Sequence, residues 1–158
     1  MPTADLIVAL RERGLTVAVA ESLTGGLVVA ELVGVPGASE VVLGGVVAYN
    51  TELKHSVLGV DADLLAEHGP VHPRVAEQMA DRVRGVLAVG RRAADVGLAT
   101  TGVAGPDSQG GHPVGTVYLG IALGTSVRSI RLSLSGSRQA IRAATVSELL
   151  DELARSLV

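Results

Sequence analysis

Between Leu15 and Val33 the apolar pattern of the chain changes its period. Leu15 to Ala20 is a short apolar run of strand type, whereas Leu27, Ala30, Glu31, Leu32 and Val33 follow helical spacing. The change falls on Ala20 Glu21 Ser22 Leu23 Thr24 Gly25 Gly26, so two hydroxyls and two glycines sit on a strand-to-helix turn. Amides at the start of a helix have no intrahelical partner, and such a turn can therefore cradle a phosphate or a developing oxyanion. The simpler alternative is that Ser22 or Thr24 caps the helix and the glycines make the turn.

The remaining elements follow from periodicity and punctuation. Thr3 is expected to cap a first helix with Leu6, Ile7 and Leu10 on its apolar stripe, ended by Gly14. Val41 to Tyr49 reads as a strand, and Gly44 and Gly45 mark a bulge or a close backbone approach within it. Asn50 or Thr51 caps a short helix carrying Lys54, and Asp61 opens another through Leu65. Pro73 starts a longer helix whose buried face is Val75, Met79, Val83 and Val86. Asp95 to Thr101 is a buried strand running into a second glycine-bearing loop, Gly102 to Pro106, and Ser108 to Pro113 is flexible by composition. Val114 to Leu123 and Val127 to Leu134 form a hairpin about Gly124 and Thr125, and Ser135 to Ser137 cap a final helix from Arg138. This order predicts a single α/β domain over residues 1–158, a three-layer α/β/α sandwich with a mixed, mostly parallel sheet. In such folds ligands bind beyond the carboxyl ends of strands, so the Ser22 turn, the Tyr49 stretch and the loop holding Thr101, Gly102 and Gly105 are candidates for one site.

Composition narrows the chemistry. With no cysteine there is no thiol nucleophile and no disulfide, and the four histidines have no carboxylate-rich loop beside them. His68 and His72 are separated by Gly69 and Pro70, which denies them a common helix face, so neither metal nor cofactor is expected. A net charge of −3, scattered arginines and only two aromatic side chains, Tyr49 and Tyr118, argue against a nucleic-acid partner. No apolar stretch has the length of a membrane span, and a cytoplasmic protein is expected, with self-association into a homo-oligomer left open.

Twelve of the thirteen basic residues are arginine, and the exception is Lys54. Arginine keeps its proton in proteins, whereas a buried lysine can give its proton up. The only asparagine, Asn50, and Tyr49 stand within five residues of that lysine. Nucleophilic chemistry in a chain without thiol or metal needs a hydroxyl nucleophile or a base-activated water. Ser22 is the better-placed hydroxyl, Thr24 the next, and Lys54 can serve as base if its pKa falls. Tyr49 could relay a proton or orient the lysine, and the amides of Thr24, Gly25 and Gly26 could hold an oxyanion or a phosphate. Arg138 and Arg142, one turn apart at the start of the last helix, could bind a phosphate, or could be solvated surface residues. Glu21 either contacts substrate or orients the turn.

Glu21 to Gly26, Tyr49 and Asn50 to Lys54, Gly102 to Pro106 with Pro113 to Val117, and Gly136 to Arg142 together resemble the CinA C-terminal family, with the motifs in the same order over nearly the whole chain. The resemblance implies nicotinamide mononucleotide deamidation to nicotinate mononucleotide and ammonia, in pyridine nucleotide salvage, on an α/β/α sandwich. Ser22, Lys54, Tyr49 and Arg142 match positions associated with that family's active site. Some CinA-type proteins carry an additional N-terminal domain similar to molybdopterin-binding proteins, and this chain resembles the stand-alone form. Thr101 stands where the family usually has serine, and Ser108 Gln109 displace a glycine pair to Gly110 Gly111 in a loop shorter than usual. Two other readings stand beside the amidase: a non-catalytic nucleotide-binding or regulatory module, and a phosphate-ester hydrolase, for which the chain lacks clustered carboxylates.

Overall fold

In the computed structural model, which describes residues 1–158, a five-stranded sheet lies between two helical layers. The elements are α1 (Thr3–Glu12), β1 (Val17–Glu21), α2 (Leu27–Val33), β2 (Val42–Val47), α3 (Thr51–Ser56), α4 (Ala62–His68), α5 (Pro73–Val86), β3 (Val96–Gly102), β4 (Thr116–Leu123), β5 (Ser126–Ser133) and α6 (Arg138–Ser156). The strand order is β2-β1-β3-β4-β5, with β2, β1 and β3 parallel and β4 antiparallel to both β3 and β5. Four of the five strands therefore run the same way, as the α/β/α reading expects.

Residue size alternates along the central strands and gives the sheet two unlike faces. Val17, Val19, Val96, Leu98, Val117, Leu119 and Ile121 pack with α1, α2 and α6 in one core. Ala18, Ala20, Ala99 and Ala122 face the other way, toward Val75, Met79, Ala80 and Val83 of α5. Gly97 and Gly120 share this small-residue face, and a Cβ on either would overlap the backbone carbonyl of Ala80 or Ala76. The helix thus packs with its main chain against the sheet. Val75, Met79 and Val83 of the expected buried face are buried, whereas Val86, the last residue of α5, is 44% exposed.

Several boundaries differ from the sequence reading for local reasons. Thr3 is the first helical residue and not the cap of α1; Pro2 precedes it, and the Thr3 hydroxyl donates to Glu31. β1 begins two residues later than Leu15, whose amide closes α1 on Leu10, and it extends through Glu21. β2 is shorter than Val41 to Tyr49, and its bulge falls at Leu43, between Val17↔Val42 and Ala18↔Gly44. Close approach is present as well, since a Cβ on Gly45 would overlap Val29. Asp61 precedes α4, which runs on to His68, and its carboxylate binds Gln78 and Arg82 rather than the α4 amides. The segment expected to be flexible closes on itself through a Gln109–His112 bridge. Asn50 and Ser137 cap α3 and α6 as read.

The chain leaves β1 over one face of the sheet, through α2 to β2, and returns over the other, through α3, α4 and α5 to β3. The connections leaving β1 and β2 thus diverge to opposite faces, which makes a switch point outside the carboxyl ends of these adjacent strands. No helix is long and apolar enough to cross a membrane.

The close seat of α5 makes a definite expectation. Gly120→Ala should lower stability by an amount at the upper end of the about 1–3 kcal/mol typical of overpacking, because backbone rather than a movable side chain stands in the way. Urea unfolding of the variant beside the parent measures the loss, and an unchanged midpoint would show that α5 is free to shift.

Candidate active site

Successive residues at the end of β1 leave the sheet on opposite sides. Glu21 turns toward α2 and Ser22 toward α3, where Lys54 Nζ lies 2.9 Å from Ser22 Oγ. The cap of α3 by Asn50 Oδ1 on the Glu52 amide, at 2.9 Å, fixes the helix that carries the lysine.

Lys54 is completely buried and takes part in no ion pair. Its Nζ also donates to the carbonyl oxygens of Ala48 at 2.7 Å and Tyr49 at 3.4 Å. Burial disfavours the ammonium form and lowers the pKa from 10.5 to about 8. As an amine Lys54 retains two N–H groups, which the two carbonyls accept, and one lone pair, which is then left for the Ser22 hydroxyl proton. The surroundings therefore satisfy the uncharged lysine completely.

Thr24 occupies a different environment. It is fully buried, and its Oγ1 contacts Glu21 Oε1 at 2.5 Å and Thr100 Oγ1 at 2.9 Å. It does not face the open cavity at this end of the sheet. Neither hydroxyl caps α2: the N-cap is Gly26, at φ +104°, and Glu21 accepts from the amides of Val28 and Val29 instead.

The cavity is about 350 Å³. Ser22, Leu23, Tyr49 and Lys54 form one side, Thr101 to Gln109 another, and Pro70, Val71 and Arg138 complete it. Of the residues singled out in the sequence, Ser22, Lys54, Tyr49, Thr101, Gly102, Gly105 and Arg138 meet here, whereas Glu21, Thr24, Gly25, Gly26 and Arg142 do not line the cavity. Tyr49 is 61% exposed, and its phenol oxygen accepts from Arg138 Nη2 at 3.2 Å; only its carbonyl approaches Lys54. Arg138 also donates to the carbonyl of Gly105. Arg142 donates through Nε to the carbonyl of Leu23 at 2.8 Å and through Nη2 to that of Thr24 at 3.2 Å. The amides of Leu23, Thr24 and Gly26 have no partner within the protein.

A second, larger groove of about 680 Å³ runs along the outside of α3 past Leu53, His55, Ser56 and Leu65. It pairs no base with a nucleophile, since His55 Nδ1 is engaged with the carbonyl of Val60 at 2.7 Å. His68 and His72 do approach one another, with ring centroids 4.5 Å apart. His72 caps α5 by accepting from the Arg74 amide, and no three metal-binding side chains converge anywhere.

Sequence reasoning missed Thr100 and the Pro70–Val71 wall. Thr100 was detectable as a polar residue that, with Thr101, ends an apolar strand. Pro70 and Val71 looked only like a helix break, and their contact with the site, where Thr101 Oγ1 donates to the carbonyl of Pro70 at 2.7 Å, spans 31 residues.

The fold and site define an α/β/α domain with a buried serine–lysine pair at a strand-to-helix turn. The sequence profile of the CinA C-terminal domain matches residues 2–157, and the chain belongs to that family. A CinA-like protein of Frankia casuarinae is 50% identical over 150 residues, which cover 94% of this chain and 33% of the relative. A competence-damage inducible protein of Geobacillus kaustophilus is 50% identical over 137 residues, 86% of this chain and 32% of its own length. The chain thus spans about a third of the length of these curated relatives. Among solved structures, a CinA superfamily protein from Klebsiella pneumoniae superposes with a TM-score of 0.92 at 29% identity, covering 98% of this chain and 94% of its own. The competence/damage inducible protein CihA from Agrobacterium tumefaciens superposes at 0.87 with 33% identity, covering 99% and 96%.

The buried lysine should be visible in stability against pH. The folded-state pKa, about 8, lies below the unfolded value of 10.5. The unfolded chain therefore binds more protons between those values, and stability rises with pH there by about 3 kcal/mol in total. Lys54→Met should remove that rise. Urea unfolding of parent and variant from pH 7 to 10.5 tests this, and parallel curves would mean that Lys54 stays charged when folded.

Proposed function

We propose that this domain is an amidohydrolase that converts nicotinamide mononucleotide to nicotinate mononucleotide and ammonia, with Ser22 as nucleophile and Lys54 as base. The observation that carries the reading is the 2.9 Å contact between Ser22 Oγ and a buried lysine without a counter-ion, at the edge of a cavity of nucleotide size. Family membership supports a CinA-type protein, and the substrate follows from the resemblance set out above.

In the forward step Ser22 Oγ bonds to the carboxamide carbon as its proton passes to the Lys54 amine. The Leu23 amide, free, on the cavity wall and next in sequence to the nucleophile, donates to the oxyanion in this reading. Collapse of the tetrahedral species breaks the C–N bond, and the Lys54 ammonium returns the proton to the leaving nitrogen, which departs as ammonia. Water then attacks the Ser22 ester with Lys54 again as base, and nicotinate mononucleotide is released. Arg138, on the cavity wall, is the cation for the phosphate, while Thr101, Gly102 and Gly105 shape the opposite side.

With about 8 as the pKa of Lys54, roughly a tenth of the enzyme holds the free amine at pH 7, enough for a base. Hence kcat/KM should rise with pH through one ionisation near 8. Lys54→Arg should lose roughly 10²- to 10⁴-fold in rate, since arginine keeps its proton. Ser22→Ala should bind substrate and yield no product. The assay is release of ammonia and nicotinate mononucleotide from nicotinamide mononucleotide by metal-free protein. Binding without turnover by the parent would return the domain to the non-catalytic class, and release of phosphate to the esterases. A substantially active arginine variant would remove Lys54 as base.

A further inference from the structure

We infer that Glu21 and Arg142 are positioning residues: together they clamp the Ser22 turn from behind and hold its free amides in place without touching substrate. The inference rests on the Ser22–Lys54 reading above and assigns these two residues a task different from substrate binding.

Glu21 is 1% exposed at the last position of β1, on the face that Val17 and Val19 give to the large core. A carboxylate there needs compensation, and it receives hydrogen bonds rather than a cation. Thr24 Oγ1 donates to Oε1, and the amides of Val28 and Val29 donate to Oε1 and Oε2 at 2.9 and 3.2 Å. These are the second and third amides of α2, the ones a capping side chain ordinarily serves. Gly26 at the cap position has no side chain to offer, so the strand supplies the cap from five residues upstream. Glu21 thereby ties the end of β1 to the start of α2 and fixes the length of the turn between them. Thr100 closes the same network from β3, through the Thr24 hydroxyl and the Ser22 amide.

Arg142 holds the other side. It takes the carbonyls of Leu23 and Thr24, and in a trans peptide the carbonyl of one residue and the amide of the next point in opposite directions. Pinning the Leu23 carbonyl therefore aims the Thr24 amide away from α6. The Ser22 carbonyl is occupied by the Gly25 amide, which likewise turns the Leu23 amide outward. Arg142 is thus committed to the backbone of the turn, and it is Arg138, one helical turn earlier, that reaches the cavity.

The test compares Glu21→Gln, Thr24→Val, Arg142→Lys and Arg142→Ala with the parent, each first checked for a cooperative melt. Deamidation of nicotinamide mononucleotide and of its dephosphorylated riboside gives kcat and KM, and the labelling rate of Ser22 by an aryl sulfonyl fluoride reads the nucleophile without either substrate. Clamping predicts kcat lower by roughly 10- to 100-fold on both substrates, KM within about threefold, Ser22 labelling slowed in step, and the ionisation near 8 retained. Arg142→Lys should recover part of the loss of Arg142→Ala. A KM increase confined to the phosphorylated substrate would overturn the inference for Arg142, and unchanged kcat and labelling in Glu21→Gln would overturn it for Glu21. If Glu21→Gln does not fold, Thr24→Val decides in its place, since it cuts the same link and leaves the α2 amides capped. Should the parent leave nicotinamide mononucleotide intact while Ser22 labelling still falls in the variants, the proposed substrate fails and the clamp stands.

Discussion

A lysine buried without a counter-ion is the constraint from which the rest of this site follows. Moving an ammonium group out of water is expensive, and proteins commonly answer by releasing the proton. Here the surroundings suit both forms: Nζ lies within hydrogen-bond reach of two main-chain carbonyls and the Ser22 hydroxyl, and once the proton leaves, the carbonyls take the remaining N–H groups and the lone pair is left to Ser22. Such an arrangement depends on accuracy. Lys54 comes from a six-residue helix, Ser22 from a turn, and the Ala48 carbonyl from the segment after an edge strand, so each must be held by its own neighbours.

The sheet supplies that accuracy through its unequal faces. Alanines and glycines on one side draw the α5 backbone onto β3 and β4, and larger residues on the other side keep α1, α2 and α6 at side-chain distance. Because the connections leaving β1 and β2 lie on opposite faces, the chain diverges at the carboxyl ends of these adjacent strands, and the cavity lies there, closed on its far side by the loop after β3. Adjacent residues then divide the labour: Glu21 serves the helix on one face, and Ser22 the cavity on the other.

Much of this was legible locally. The apolar runs of β1 and β3, the hairpin about Gly124 and Thr125, and the caps at Asn50 and Ser137 depend on residues within a few positions of one another. Periodicity and capping report such relations directly. The misreading at Thr3 was local too, but its partner lay elsewhere: the Thr3 hydroxyl answers to Glu31, so it does not act as the cap its type and place suggest.

By itself, the sequence determined that the chain makes an α/β/α sandwich with a hydroxyl-and-glycine turn after its first strand, and that its one lysine stands apart from twelve arginines. Only the tertiary structure decided what these residues meet. Lys54 lies 32 positions from Ser22, Thr100 lies 76 from Thr24, and Arg142 lies 119 from Leu23. Ser22 and Thr24 are alike in type and nearly adjacent, yet one opens onto a base and a cavity and the other is sealed between Glu21 and Thr100. Burial and hydrogen-bond partnership are relations between distant parts of a packed chain, and no local pattern encodes which of two similar side chains the packing leaves exposed.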